Sequence, residues 1–459
     1  MTFIKRLITI FCLASLLLSG SYVLSAPIKG SITQKDPGIK PGMAQNVFTF
    51  TQALPWPSPR ANSRNTSRSL FNGPSGKGVK TKEFNLVNLK NYAGLLPDRT
   101  KFLLVGKNDM ICYVDKKARE MKAVSALGND LFSHQVRNVN VNPCYLTSGG
   151  FYDINVDRTR IDYTDYNGNE IWNKHLKPAH FQRSEEIRCV GNRIYTSTYF
   201  EGKITVQAWE KNSDFAWFMY PGDSWITGIG EDPGKFTYIQ TVEGLWQHDW
   251  GFTDTWFNPS VTPENSDGAF DDFAGPIIGN DGRVWVNLPW SKKYEVYNKD
   301  GSLHKEGSYS EYHSNHIKGA CVGGDGRFYV AGWFDVQCFS DWNNLEWHLE
   351  FDHSIRILDM AMGKDNTLYI LYGTDGEGLH DTTYHWTSLD PADGSIIYEA
   401  DIQVPQFFQA WSKGEIAIGE KNRLIILLHT GYMAIFEPPS LEIQNIPIKR
   451  HTGFGRVVR

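Results

Sequence analysis

Six cysteines in 459 residues, with no CxxC and no adjacent pair, deny zinc clusters and dithiol redox centres the spacing they need. Five of them (Cys112, Cys144, Cys189, Cys321 and Cys338) lie beyond residue 25, an odd and sparse set that is no disulfide framework. Unpaired, buried thiols are therefore expected. HExxH, GxSxG and Walker loops are also missing, and Gly73-Pro-Ser-Gly-Lys-Gly78 has the wrong spacing and lies outside any βα unit. Excess positive charge is missing too: 51 Asp and Glu against 46 Lys and Arg give a net charge of −5, which argues against nucleic acid as a partner. Beyond Leu7–Leu18 no apolar run is long enough to cross a bilayer, so no transmembrane segment is expected in the mature chain.

Aromatic residues and glycine are plentiful: 15 Trp, 21 Tyr, 26 Phe and 42 Gly couple strand-forming side chains to turn residues, a composition that favours β structure. The first 25 residues read as a signal peptide, with Lys5-Arg6, the apolar run to Leu18 and a small-residue end. The mature chain is expected to begin near Ala26 or Tyr22 and to be secreted or periplasmic. An uncleaved anchor is the weaker alternative, because the apolar run falls short of the roughly 20 residues a span requires.

Eight segments share one form, a polar or glycine-rich turn followed by alternating aliphatic and aromatic residues. They are Lys101-Phe-Leu-Leu-Val, Gly150-Phe-Tyr-Asp-Ile, Arg193-Ile-Tyr-Thr, Lys235-Phe-Thr-Tyr-Ile, Arg283-Val-Trp-Val, Arg327-Phe-Tyr-Val, Thr367-Leu-Tyr-Ile and Arg423-Leu-Ile-Ile. Their period of about 46 residues is that of a propeller blade. Gly279-Asn-Asp-Gly282, Gly323-Gly-Asp-Gly326 and Gly363-Lys-Asp-Asn366 mark tight hairpins, with the Asp residues as turn formers rather than calcium ligands. A second hairpin follows at Tyr166–Trp172, Tyr297–Leu303, Leu389–Ile397 and Phe436–Leu441, which makes four strands per period. The fold class is thus all-β, an eight-bladed β-propeller of four-stranded antiparallel blades, with seven blades as the alternative.

Trp56-Pro-Ser-Pro-Arg60, with Asn62, Asn65-Thr66, Arg68-Ser69 and Gly73-Pro74, and the repeat Leu389-Asp-Pro-Ala-Asp-Gly-Ser-Ile-Ile397 resemble the pyrroloquinoline-quinone-like (quinoprotein alcohol dehydrogenase-like) propeller family over residues 55 to 446. The resemblance implies eight blades. It does not extend to the quinone, because that family's enzymes hold it with an adjacent-cysteine disulfide, a stacking Trp and calcium. Trp172, Trp209, Trp217, Trp256 and Trp285 are instead expected to pack blade against blade. The division reads as signal peptide 1–25, arm and lead-in 26–80, propeller 81–446 and basic tail 447–459, with 81–91 as an early strand that helps to close the ring.

In such a meander the tight turns gather on one face, while the second-to-third loops and the crossings between blades gather on the other. That loop face carries Asp271, Asp272, His313, His316, His353 and His380, donors that would suit a divalent metal or an acid–base pair. The same residues could equally be hydrogen-bonded caps of the ring. Trp225, Phe273, Phe407 and Phe408 are candidates for stacking on a ligand. No cofactor is expected. The favoured function is a monomeric, exported binding or scaffold propeller that recognises a protein or a glycan on its loop face. The alternative is a propeller enzyme (hydrolase, lyase or oxidoreductase) built on the His/Asp group.

Overall fold

The computed structural model describes residues 32–35, 67–74, 79–86, 99–136, 144–147, 149–154, 160–175, 183–190, 193–200, 203–210, 215–219, 226–232, 236–241, 244–249, 254–259, 276–288, 293–309, 317–374, 382–404 and 413–438. Two strands precede the ring, β1 (Ile32–Lys35) and β2 (Val79–Asn85). Blade one follows as β3 (Thr100–Val105), β4 (Ile111–Asp115), β5 (Glu120–Val124) and β6 (Asp130–Gln135). Blade two is β7 (Cys144–Leu146), β8 (Gly150–Ile154), β9 (Arg160–Asp165) and β10 (Glu170–His175). Blade three is β11 (Arg183–Val190), β12 (Arg193–Phe200), β13 (Lys203–Glu210) and β14 (Phe215–Met219), with β1 added along β14. Blade four is β15 (Ile226–Asp232), β16 (Phe236–Thr241), β17 (Gly244–Asp249) and β18 (Asp254–Asn258). Blade five is β19 (Ile277–Ile278), β20 (Val284–Leu288), β21 (Lys293–Tyr297) and β22 (Leu303–Ser308). Blade six is β23 (Gly319–Val322), β24 (Phe328–Ala331), β25 (Asp335–Ser340) and β26 (Asn344–Glu350). Blade seven is β27 (Ile355–Met362), β28 (Leu368–Thr374), β29 (Thr383–Leu389) and β30 (Ile396–Ile402). The last described strands are β31 (Gly414–Ile418), β32 (Leu424–Leu428) and β33 (Tyr432–Glu437).

Every sheet is an antiparallel meander, and the first strand of each lies innermost. Seven blades use four consecutive strands. The remaining sheet is composite: β31, β32 and β33 are completed by β2, paired from Val79↔Glu437 to Asn85↔Tyr432. This corrects the expectation of eight blades: seven blades of four consecutive strands are present, the number given as the alternative. The segment expected to form a strand after Phe436-Glu-Pro-Pro lies outside the described residues, and the place beside β33 is taken by β2 from the other end of the propeller. The ring closes where β3 packs against β31. A second correction concerns the first repeat segment: Lys101–Val105 is the innermost strand of blade one, whereas the other seven segments are second strands. The second strand of blade one, Ile111–Asp115, follows the turn Gly106-Lys-Asn-Asp109, in which Lys107–Asp109 form a 3-10 turn and Asp109 stands at the fourth position, which is glycine in the turns 279–282 and 323–326.

The turns explain why the repeats kept step. Gly279 N donates to Arg283 O and Gly282 N to Gly279 O, and the Asp281 carboxylate caps the turn by accepting the Arg283 N–H at 3.0 Å. Asp325 does the same for Arg327 N at 3.1 Å and Asp365 for Thr367 N at 3.2 Å. The fourth turn residue has φ of +77° in Gly282 and +85° in Gly326, the left-handed region that glycine enters without strain. Asn366 holds it at +69°. The Asp residues in these turns thus act as turn formers.

Packing follows from the layering. Middle strands are covered on both faces and read as unbroken apolar runs, such as the wholly buried Leu424-Ile-Ile-Leu-Leu428. Outer strands mix half-buried and exposed residues. Each apolar cluster spans neighbouring blades: Trp285 of blade five meets Phe328 of blade six at 4.8 Å, and Trp256 of blade four meets Tyr297 of blade five at 6.1 Å. Cys112, Cys321 and Cys338 are buried and unpaired, and β24 separates the last two. Burial pushes the Cys338 thiol up to about 12, which leaves it inert at neutral pH. The side chains of Cys144 and Cys189 lie outside the described set.

Candidate functional site

Strand direction sends the tight turns to one face and the second-to-third loops and crossings to the other. On the tight-turn face, the segment 67–74 runs across the ends of the innermost strands of blade seven and the composite sheet. Ser69 N donates to Met362 O at 2.9 Å, Met362 N to Ser67 O at 3.0 Å, and Ser69 Oγ to Ile418 O at 3.4 Å. Tyr369 Oη reaches Pro74 O at 3.1 Å. This strap covers three innermost-strand ends, since the Cys321 thiol of blade six also points at Ser67 O.

Of the candidates on that loop face, His353 alone is among the described residues. Asp271, Asp272, His313, His316 and His380, and the stacking candidates Trp225, Phe273, Phe407 and Phe408, lie outside them. His353 is exposed and sets its ring edge-on against Phe334, with centroids 5.1 Å apart. Phe334 in turn stands perpendicular to Trp333 at 6.0 Å. Two cations approach the Trp333 ring, Lys318 Nζ at 5.4 Å and the Arg356 guanidinium at 5.2 Å, a distance at which the negative ring face attracts them. Backbone bonds fix this patch: Phe351 N donates to Phe334 O and Ile357 N to Trp333 O, both at 2.7 Å, tying the loop between β24 and β25 to the crossing into blade seven.

The described residues also place four imidazole–carboxylate pairs at the loop-face ends of strands. His134 Nε2 lies 2.8 Å from Asp153, His348 Nε2 3.1 Å from Asp335, His385 Nδ1 2.8 Å from Asp401 and His429 Nε2 2.8 Å from Glu415. They belong to different blades. No group of three or more His, Cys, Asp or Glu side chains among the described residues is arranged to hold a metal ion. In the sequence His134 reads as part of a crossing, whereas it lies on β6; His348 and His385, inside strands, carry no such signal, and an imidazole facing a carboxylate follows from register only once the strands are paired.

The Glu415 pair has a structural role. Its carboxylate accepts Phe102 N at 2.9 Å and Leu103 N at 2.5 Å, where β3 bulges and Phe102 takes φ of +61°. Burial alone would raise its carboxyl. The hydrogen bond and charge of His429, with the two backbone N–H groups, outweigh burial and hold it below the usual range. One blade back, on the innermost strand β27, Asp359 likewise accepts a backbone N–H of its neighbour, Ile416 N at 2.9 Å.

The His134 pair sits at the seam of blades one and two and carries a pH dependence. Asp153 is fully buried, its Oδ1 has no hydrogen-bond partner among the described residues, and it faces Asp162 across the β8–β9 ladder. Arg160 Nε pairs with Asp162 at 2.8 Å, and Arg160 Nη2 bonds Glu170 at 3.2 Å. Burial pushes both aspartates up, and with the charge of Asp153 added Asp162 reaches about 6. For His134 burial works downward, but the hydrogen bond and charge of Asp153 prevail and raise it. All three groups hold protons more tightly folded than unfolded, so their stabilisation is complete at acid pH and declines as pH rises through the folded values. Asp162→Asn removes one such group. Its stability relative to the parent should rise between pH 4 and pH 7 by about 2 kcal/mol, read from denaturant midpoints along a pH series. A constant difference between the two proteins would contradict the assignment.

No family model matches the sequence, and no curated protein does. Solved structures similar to it include a streptogramin B lyase, with a TM-score of 0.46 and 11% identity over 78% of this chain and 96% of that chain. A virginiamycin B lyase from Staphylococcus aureus bound to quinupristin has a TM-score of 0.45 and 12% identity, over 78% of this chain and 98% of that one. BamB from Moraxella catarrhalis has a TM-score of 0.46 and 11% identity, over 79% and 98%. At these identities the likeness is one of propeller fold alone.

Proposed function

We propose that the chain is an exported recognition propeller that takes a protein or glycan partner on its loop face and carries no quinone. We count the composite sheet as an eighth blade and read the repeats as those of the quinone-like propellers. The observation that carries this reading is the patch of Trp333, Phe334 and His353 with Lys318 and Arg356. Half-buried aromatics beside an exposed imidazole, on a backbone tied down by cross-loop hydrogen bonds, offer a preorganised surface that loses little entropy when a partner docks. Indole and phenyl rings serve equally for stacking on a sugar or packing on a peptide. The strap on the opposite face favours the loop face as the docking side.

Binding of the mature chain to arrayed glycans and peptides tests the reading. Trp333→Ala should weaken any specific interaction at least about tenfold, the loss of a single aromatic anchor, while leaving the melting temperature within a few degrees of the parent. Unchanged binding in both Trp333→Ala and His353→Ala, or no binding by the parent, overturns it.

A further inference from the structure

The third imidazole–carboxylate pair has a member the other three lack. On one face of blade seven, at its loop-face end, β28, β29 and β30 bring Tyr372, Thr374, Thr383, His385 and Asp401 side by side in register: Tyr372↔His385, Thr374↔Thr383 and His385↔Asp401. His385 Nδ1 lies 2.8 Å from Asp401 Oδ1, and His385 Nε2 lies 3.0 Å from Thr383 Oγ1. The imidazole stacks on Tyr372, with centroids 5.0 Å apart and planes 16° from parallel, and Tyr372 itself is buried with its hydroxyl bonded to Glu399. The ring plane is thus set by stacking and its in-plane rotation by two polar contacts.

Counting protons fixes the roles. An ionised carboxylate only accepts, so the Nδ1 of His385 carries the hydrogen and its Nε2 presents a lone pair to Thr383. The Thr383 hydroxyl therefore donates to Nε2. The neighbouring Thr374 hydroxyl, in contact with Thr383 Oγ1, supplies the hydrogen of that second bond. Hydroxyl, imidazole and carboxylate in this order are the nucleophile, base and orienting group of acyl transfer, recognised by geometry rather than by motif. Thr383 is exposed, so a substrate can reach its oxygen.

We propose that Thr383, His385 and Asp401 form an acyl-transfer site that hydrolyses esters. Thr383 Oγ1 attacks the ester carbonyl carbon and its proton passes to His385 Nε2. The tetrahedral intermediate collapses with cleavage of the bond to the alkoxy oxygen, which leaves as the alcohol after taking that proton. Water then attacks the acyl-threonine, gives a proton to His385 Nε2, and releases the acid as the proton returns to Thr383 Oγ1. The sum is ester plus water to acid plus alcohol. Asp401 holds the imidazole tautomer and stabilises the imidazolium, and the Thr374 hydroxyl orients Thr383 Oγ1 by donating to it. Asp401 is 66% exposed, so the relay works in a wet setting and suits activated esters with good leaving groups. With the carboxylates of Asp401 and Glu399 nearby, neutral acyl groups are preferred to anionic ones.

The full mature chain with p-nitrophenyl acetate as probe decides the matter. The parent should release nitrophenol in a burst stoichiometric with protein, and peptide mass spectrometry of the quenched reaction should find the acetyl group on Thr383. Thr383→Ala and His385→Gln should each lower the rate at least about a hundredfold, and Asp401→Asn at least about tenfold with a shifted pH profile. Thr383→Ser, which keeps the nucleophile, should retain the burst. Acetylation of His385 itself or of surface lysines, or a parent-like rate in Thr383→Ala, overturns the proposal. Circular dichroism of the variants shows whether a lost rate is lost chemistry, and the Thr383→Ser result holds whatever the fate of the others.

Discussion

A chain that begins after Asn85 should lose cooperative unfolding altogether. Such a truncation strips β2 from β33 and leaves of that edge only the 2.9 Å bond of Leu86 N, at the new terminus, to Gly431 O. It also removes the strap, with the Ser67, Ser69, Phe71 and Pro74 contacts that hold blade seven to the composite sheet. At roughly 1 kcal/mol net per lost hydrogen bond, the backbone pairs alone approach the 5 to 15 kcal/mol by which domains are stable. The bare edge of β33 adds a second penalty. Tyr432-Met-Ala-Ile-Phe436 is wholly buried and β-prone, and with its outer neighbour gone it becomes a template for pairing between chains. Size-exclusion chromatography and thermal melts of the truncated chain should show aggregation and no sharp transition, and a synthetic peptide spanning residues 67–86 should restore both. A truncated monomer that melts like the parent would show that the ring holds without its closing strand.

How much of this was legible in the sequence depends on which interactions are local. The Asn-Asp-Gly and Gly-Asp-Gly turns are set by their own residues, with a carboxylate capping the turn two residues on, and so period and strand count were readable at 279–282, 323–326 and 363–366. Ring closure is not local. The segment 81–91 reads as an early strand that helps to close the ring, but nothing in it names its partner some 350 residues later, and the Pro-Pro after Phe436 reads as one more hairpin. The first repeat segment was placed one strand too early for a similar reason. Lys101–Val105 has the alternation of a second strand, and only the positive φ at Phe102 and the Glu415 carboxylate reaching it from β31 mark it as the innermost one.

The site divides in the same way. Histidines in crossings stood out because loops carry function, and His353 does lie on the aromatic patch of the loop face. The Thr383–His385–Asp401 set escaped notice because its members are separated by two residues on one strand and joined to a third by register, a relation visible only after β29 and β30 are paired. Trp333 was likewise hidden, since its significance rests on Lys318 and Arg356 arriving from two different strand ends.

At the other end of the ring, Arg423→Ala should cost about 3 to 5 kcal/mol at neutral pH, the loss expected when one partner of a buried ion pair is removed. Asp109 is fully buried where blade one meets the composite sheet, with its Oδ2 2.6 Å from Arg423 Nη1 and its Oδ1 accepting the Glu420 N–H. Arg423 Nε also bonds Glu437, so one guanidinium serves two carboxylates across the closing seam. Burial already pushes the Asp109 carboxyl up against the hydrogen bonds and charge of Arg423 that pull it down. Without the arginine it rises further. A carboxyl raised by burial is stabilising only while protonated, so the cost of the substitution should shrink as pH falls towards 4 and grow as pH rises through the new folded value. Asp109→Asn combined with Arg423→Met should recover most of the loss at neutral pH, because no buried charge is left without a partner. If denaturant midpoints place Arg423→Ala within 1 kcal/mol of the parent at neutral pH, then Asp109 is already neutral in the folded ring, and the seam is held by the strap and β2 rather than by this pair.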